Sequence, residues 1–344
     1  MKLATHNQRF HLDEVTSTAI LKKIFPDATL KRTRDPKDFE EADIVYDVSG
    51  VYDPTRGRYD HHQRGFTHTF SEAFPIKLSS AGLIYKHYHK QLFKYYGLVA
   101  EDWIVDEVYE EYFKYVDACD NGVDLQCTIV PRTMVDLVSC FNVQETGVKE
   151  DTKNGQMKNE VGGATTAGSS ARVHSSCTVP LSDTLKDFVL SDNYNDYNFL
   201  CALNLISIDM DNYFRQKKQL VEMVSANHDL IRSATGDILV IGPDRDLSRE
   251  ALFILEKIWK KDFLFIVYDS SEHVRMYGTI KERNSYAIKV PLCLEWGGLR
   301  EEELRARSGI EGSTFVHSSG FTGGAKDLKS ALEMCRRSIK KSQE

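Results

Sequence analysis

The sequence predicts an α/β protein of two domains: an N-terminal Rossmann-like domain built on a parallel sheet, and a second, smaller α/β domain whose sheet is mixed or antiparallel. Three observations carry this reading. From Lys2 to Val48, short apolar runs alternate with helix-periodic stretches. Between Val148 and Ser176 the chain turns to Gly, Ser, Thr, Asn and Lys and almost loses large apolar residues, the composition of a linker or insertion. After it, a long helical run leads into a second alternation. The 344 residues suffice for two cores, divided as 1–145, a polar segment 146–178, and 179–344.

In chain order, residues 2–6 read as a short buried strand. A helix follows from Asp13 to Phe25, with Val15, Ala19 and Ile20 on its apolar face and Pro26 stopping it. Leu30–Thr33 is a second strand, Pro36–Glu41 a short helix and Asp43–Val48 a third strand. Such a βαβαβ unit binds ligands at the carboxyl ends of its strands, where His6 and Asp47 fall. Ser79-Ser80 caps a helix through about Tyr96, and Asp102 starts another reaching Asp120-Asn121-Gly122, where Gly122 suits a helix C-terminus. A long helix runs from Tyr194 to Ile231. Strands at Ile238–Ile241, Phe263–Tyr268, Val274–Ile280 and Ser313–Val316 then alternate with helices around 250–260 and 327–341. Gly320-Phe321-Thr322-Gly323-Gly324 reads as a glycine turn between strand and helix, whose backbone N–H groups can approach an anion.

No apolar run reaches the ~18 residues of a membrane span, and no secretory or transit peptide is visible. Seven cysteines are scattered without a Cys-x-x-Cys pair, which predicts reduced thiols and a cytoplasmic or nuclear setting. A net charge of −7 argues against coating nucleic acid by bulk electrostatics. It leaves room for an enzyme that admits one strand end. Arg56, Arg58 and Arg64 form one basic patch, and Arg300 belongs to a second.

The chemistry-bearing residues gather in the first part of the chain. Thr5-His6-Asn7 and Phe10-His11-Leu12-Asp13-Glu14 form one packet, Tyr59-Asp60-His61-His62-Gln63 another, and Asp47 ends the apolar run Ile44-Val45-Tyr46 between them. Two divalent cations about 3.5–4 Å apart can clamp the attacking and leaving oxygens of a phosphoryl displacement. This needs imidazoles, carboxylates and a bridging carboxylate. Mixed nitrogen and oxygen ligation suits manganese, iron, cobalt or zinc better than an all-oxygen magnesium cage; two manganese ions are the expected cofactor, with magnesium, cobalt and zinc as alternatives. Asp60 is expected to orient His61, since a metal-bound imidazole needs an acceptor for its other N–H. His62 is then left to face a phosphate or leaving oxygen. Glu14 is read as favouring the helix N-terminus, and His68, His87, His89, His174, His228 and His273 as structural.

His6-x4-His11-x-Asp13, Asp47-Val48-Ser49-Gly50 and Asp60-His61-His62 resemble the DHH phosphoesterase superfamily. With Arg32-Thr33-Arg34-Asp35, Leu78 to Tyr85, Asp117-x2-Asp120-Asn121-Gly122 and Phe315-Val316-His317-x2-Gly320-Phe321-x-Gly323-Gly324, the ordered set resembles the melanocyte proliferating gene exonuclease family nearly end to end. The resemblance implies a metal-dependent 3′–5′ exonuclease on single-stranded nucleic acid, RNA favoured, with a mitochondrial setting added to the two above. It also implies that His6, His11 and Asp47 hold one metal, and that Asp13, Asp47, His61 and a late aspartate hold the other. Pattern position favours Asp120 as that ligand, with Asp117 the alternative. Asp47, Asp60, His61 and His62 are the candidate catalytic residues. His62, Arg64, Arg300, His317, Gly320, Gly323 and Gly324 are the candidate substrate contacts.

Two other functions compete. Hydrolysis of a small phosphate or short oligonucleotide differs in not degrading a long strand. A non-catalytic, metal-stabilised RNA-binding scaffold would hold metal without turnover. A homodimer is compatible with the sequence, which does not decide oligomeric state.

Overall fold

The computed structural model describes residues 1–124, 131–142, 194–270, 273–283 and 285–344. The polar segment 146–178 lies outside them. The protein is α/β, with a parallel-rich sheet in its N-terminal part and a second, mixed sheet in its C-terminal part. It divides into two compact units, Met1–Tyr213 and Phe214–Glu344.

In the first unit, strands β1 (Lys2–Thr5), β2 (Thr29–Arg32) and β3 (Ile44–Tyr46) are parallel and separated by helices α1 (Leu12–Ile24) and α2 (Pro36–Glu41). Short strands β4 (Tyr52–Asp53) and β5 (Arg58–Tyr59) extend the sheet to the order β2-β1-β3-β5-β4. β3 is buried on both faces, as the inner strand of a covered parallel sheet must be. A small hairpin, β6 (Thr69–Ser71) and β7 (Phe74–Lys77), precedes α3 (Ser80–Tyr96), which packs against α1.

The helix expected from Asp102 to Asp120 is one run with an interruption. α4 (Asp102–Val108) passes through a π-turn at Tyr109–Phe113 into α5 (Lys114–Asp120). Beyond α6 (Met134–Ser139) comes the long α7 (Tyr194–Ser233). The boundary between units falls inside α7, so residues 194–213 belong with the first unit rather than with the C-terminal part.

The second unit contains β8 (Ile238–Ile241), α8 (Arg249–Trp259), β9 (Phe265–Asp269), β10 (Val274–Gly278), α9 (Glu301–Ser308), β11 (Ser313–Val316), β12 (Thr322–Ala325) and α10 (Leu328–Ser342). Its sheet runs β11-β12-β10-β9-β8, with β8 and β9 parallel and the other pairs antiparallel.

β12 corrects the expected glycine turn. The turn is confined to His317–Phe321, where Gly320 has φ +70° and donates to His317 O. Gly323 and Gly324 are interior strand residues paired with β10 and β11. Their lack of a side chain serves packing: a Cβ on Gly323 would lie 2.6 Å from Leu292 Cδ1, and one on Gly324 2.6 Å from the Phe315 ring. Backbone groups engaged in a ladder are not free to cradle an anion.

Candidate metal centre

The centre lies at the carboxyl ends of β1 and β3, where a parallel sheet leaves its strands open to ligands. His6 follows β1, and the loop from His6 to His11 is held at two points. Arg32 donates from Nη2 to Gln8 O while stacking near Phe10 and Phe199. Asn142 brackets Phe10, accepting from its N–H and donating to its carbonyl. Asp47 follows β3 with φ +54°, a left-handed conformation that Asp tolerates better than most residues. Strained backbone of this kind concentrates at functional sites.

Asp47 reaches two groups of imidazoles with its two oxygens. Oδ2 lies 3.2 Å from His6 Nε2, while Oδ1 lies 3.5 Å from His61 Nε2 and 3.7 Å from His62 Nδ1. On the Oδ2 side, His6, His11, Glu14 and Asp47 bring one ligand atom each within 4.8 Å of one another. Asp13, His61 and Asp120 form a like cluster, and Asp47, Asp60, His61 and His62 form a third that shares residues with both. His61 Nε2 faces Asp120 Oδ2 at 3.1 Å, Asp47 Oδ1 at 3.5 Å and Asp13 Oδ2 at 3.8 Å. None is aligned for a hydrogen bond, so among the described residues this buried nitrogen has no such partner. Carboxylates surrounding an orphaned nitrogen can serve as a ligand shell, and the donor set fits divalent cations.

The electrostatics agree. Burial alone would lower the His6 pKa, but hydrogen bonding to Asp47 and Glu14 outweighs it and pushes it up to about 10. A field that favours a proton so strongly also favours a metal cation. Burial works to raise Asp47 as well, yet His6 and His61 hold its carboxyl well below the usual range. Asp13 and Asp120 are pushed upward, in each by burial first and with Asp47 as a repelling neighbour.

Asp13 is anchored as well as clustered: Oδ1 accepts from Ser79 Oγ at 2.6 Å and from Ala81 N, and Oδ2 from Ser80 N at 3.0 Å. The start of α3 therefore orients this carboxylate. Asp117 is not in the centre. Its Oδ1 accepts from Ser79 N and Gly82 N and shares the single Ser79 hydroxyl proton with Asp13, and its Oδ2 accepts from Tyr109 Oη. It buttresses the α3 start, and Asp120 is the late aspartate that reaches the histidines.

Asp60 differs from expectation too. It pairs with His62, Oδ1 lying 2.7 Å from Nδ1, and its Oδ2 accepts from Gly50 N; His61 Nδ1 has no hydrogen-bond partner among the described residues. Hydrogen bonding to Asp60 raises the His62 pKa against partial burial. Glu14, read only as a helix-end carboxylate, does both jobs: it accepts from His11 N and lies 3.0 Å from His6 Nε2.

The centre opens into a cleft of about 780 Å³ whose rim carries Arg34, Lys77 and Asn121. Arg64 is exposed and is not among its lining residues. Arg34 stood in a recognised motif without a role; nothing in the pattern marked Lys77. Arg300, His317, Gly320, Gly323 and Gly324 belong to the second unit. There His317 is exposed, with Nδ1 accepting from Ser319 N and its ring 4.6 Å from Phe321.

Comparison with known proteins gives a consistent result. Residues 2–339 match the MYG1 exonuclease family model, described as "Uncharacterised protein family (UPF0160)". The human protein named MYG1 exonuclease is 33% identical over 98% of this chain and 85% of its own. The Dictyostelium discoideum MYG1 protein is 30% identical over 99% and 97%, and a Caenorhabditis elegans MYG1 protein 28% over 99% and 96%. Among solved structures, Thermus thermophilus RecJ in complex with Mn2+ aligns over 98% of this chain and 52% of its own, at 10% identity and a TM-score of 0.23, too low to carry a structural argument. Match and identity both run the length of the chain, across the residues of the centre, and the chain belongs to the MYG1 exonuclease family.

Proposed function

We propose that the protein is a metal-dependent 3′–5′ exonuclease that hydrolyses single-stranded nucleic acid, RNA in preference to DNA, with two manganese ions. The observation that carries the two-ion reading is Asp47, whose oxygens face His6 on one side and His61 and His62 on the other. Asp13, Asp120 and His61 would complete one site and His6, His11 and Glu14 the other. When bound, the ions would supply Lewis acidity for a water and charge neutralisation for the phosphate.

The protein's own groups do the rest. Ser79, Ser80 and Ala81 fix the Asp13 carboxylate before any ligand arrives, which spares reorganisation during reaction. His62 has a side chain 62% exposed and turns Nδ1 to Asp60, leaving Nε2 outward. Its raised pKa favours a proton on the ring, which Nε2 could offer to a phosphate or departing oxygen. Arg34 and Lys77 supply positive charge at the rim, where an overall acidic protein needs it to admit a polyanion. The relatives named exonuclease support the polymer and the reaction class.

The test is incubation of 5′-labelled single-stranded RNA and DNA with protein and manganese, magnesium or chelator. A one-nucleotide ladder retaining the 5′ label, lost in chelator, is expected. Cleavage of pyrophosphate or dinucleotides with long strands left intact would transfer the reading to a small-phosphate hydrolase. Bound metal with no turnover on any phosphoester would leave only a scaffold.

A further inference from the structure

The sheet of the second unit has two unlike faces. One is apolar, with Phe265, Val267, Met276 and Val316 packed in a core with Met334 and Ile339. Because side chains alternate along a strand, β10 turns Arg275 and Tyr277 to the opposite face. Gly324 of β12 is in register with Arg275. The Phe315 ring occupies the space its side chain would fill, so that ring lies across β12 toward Arg275. The Arg275 and Arg300 guanidinium carbons stand 4.6 and 5.7 Å from the Phe315 centroid. Alongside, Arg249 stands 5.7 Å from the Tyr277 centroid and 5.9 Å from that of Phe321. All three rings are partly exposed.

Unpaired charge beside aromatic rings distinguishes this face. Arg283, Arg305, Arg307 and Arg337 of the same unit are each paired with a glutamate. Among the described residues, Arg249, Arg275 and Arg300 have no carboxylate within ion-pair distance. Each stands over an aromatic ring instead. Unpaired arginines set among accessible rings, in a chain of net charge −7, make a local site for a ligand that offers both negative charge and flat π surfaces.

We infer that this face binds single-stranded nucleic acid, with bases stacking on Tyr277, Phe315 and Phe321 and phosphates facing the three arginines. Single strands expose base faces that a duplex hides, and stacking with arginine contacts is the sequence-tolerant way to hold them. An acidic peptide would satisfy the arginines and leave the rings unused. The inference deepens the proposed nuclease reading, on which it rests for the identity of the polymer.

Full-length protein is titrated, by fluorescence anisotropy, into a 5′-fluorescein oligouridylate with phosphorothioate linkages and into its abasic counterpart. The base-bearing strand should bind at least about tenfold more tightly. Tyr277→Leu keeps apolar bulk and removes the ring; it should cost about tenfold on the base-bearing strand and little on the abasic one. Arg275→Glu should weaken both and flatten the salt dependence. Thermal melts near wild type confirm folding of both variants. Equal affinity for base-bearing and abasic strands overturns stacking, and wild-type affinity in both variants overturns the site.

Hydrolysis of bis(p-nitrophenyl) phosphate with manganese separates the two readings. If wild type hydrolyses it while both variants bind oligonucleotide like wild type, the platform falls and the nuclease stands. If wild type hydrolyses no phosphodiester yet binds with ring dependence, the platform stands and the nuclease falls.

Discussion

Gly82 lies in the first turn of α3, and replacing it with alanine tests how the centre is held. Helix propensity alone predicts a gain of up to about 1 kcal/mol. The structure predicts the opposite sign. A Cβ there would lie 2.3 Å from both oxygens of Asp117 and 2.6 Å from its Cγ, and Asp117 is fully buried. The carboxylate must retreat by about an ångström or more to reach ordinary contact. It cannot do so and keep its donors: Ser79 N at 2.9 Å, Ser79 Oγ at 2.8 Å, Gly82 N at 3.2 Å and Tyr109 Oη at 2.7 Å. Above about pH 7, where this carboxyl is ionised, losing two such bonds to a charged acceptor, at about 1.5–3 kcal/mol each, outweighs the propensity gain and leaves a net loss of roughly 2–5 kcal/mol. The single Ser79 hydroxyl proton is shared between Asp117 and Asp13 Oδ1, so a displaced Asp117 also disturbs Asp13, and manganese affinity should fall although no candidate ligand has been changed. Urea denaturation and calorimetric titration with manganese measure the two effects. A Gly82→Ala protein as stable as wild type, with unaltered metal affinity, would refute the buttress.

Asp47→Asn should reduce hydrolysis by at least about a thousandfold, roughly 4 kcal/mol of barrier. The fold should survive, since Asn accepts φ +54° as readily as Asp; more than a tenth of wild-type rate in a labelled-oligonucleotide assay would remove Asp47 from the bridging position. Activity should rank manganese above magnesium if His6, His11 and His61 contribute nitrogen as proposed; equal rates at saturating metal would mean that these imidazoles do not coordinate. Burial, only partly offset by its four donors, pushes the Asp117 carboxyl up from 3.8 to about 7. The folded state then binds a proton that the unfolded state has released, so stability falls as pH rises between those values. Relative to Asp117→Asn, whose amide mimics the neutral acid, wild type should lose roughly 2–3 kcal/mol between pH 5 and pH 8 in urea melts; parallel profiles would show that Asp117 is ionised throughout.

What was legible in the sequence was whatever strand and helix periodicity dictates. His6 and Asp47 follow short apolar runs, and the rule that parallel strands open their carboxyl ends to ligands brings them together. Side-chain partners were less legible. Asp60 is adjacent to His61 in sequence, but the turn gives its carboxylate to His62. Asp117 and Asp120 are one helical turn apart, and only the burial of Asp117 against Ser79 and Gly82 separates buttress from ligand. Glu14 matched a helix-capping pattern so well that its approach to His6 was hidden behind it. Gly323 and Gly324 resembled a turn because glycine is the commonest mark of one, yet Gly324 serves a ring crossing the strand and Gly323 makes room for Leu292.

The π-turn at Tyr109–Phe113 means that the centre depends on counting as well as on chemistry. Such a turn is one extra residue absorbed by a helix, and each α-helical residue advances the face by about 100°. Five residues at the wider π winding turn the chain about as far as four α-helical ones, so deleting one residue from 109–113 would restore a plain helix and leave the segment after it in phase. Asp117 would still meet Ser79 and Asp120 would still face His61. Deleting one residue from 114–116 instead would rotate both aspartates away together, with every side chain of the centre still present. In a relative lacking the extra residue, the same acid would face His61 one number earlier, so the gap in an alignment belongs within 109–113.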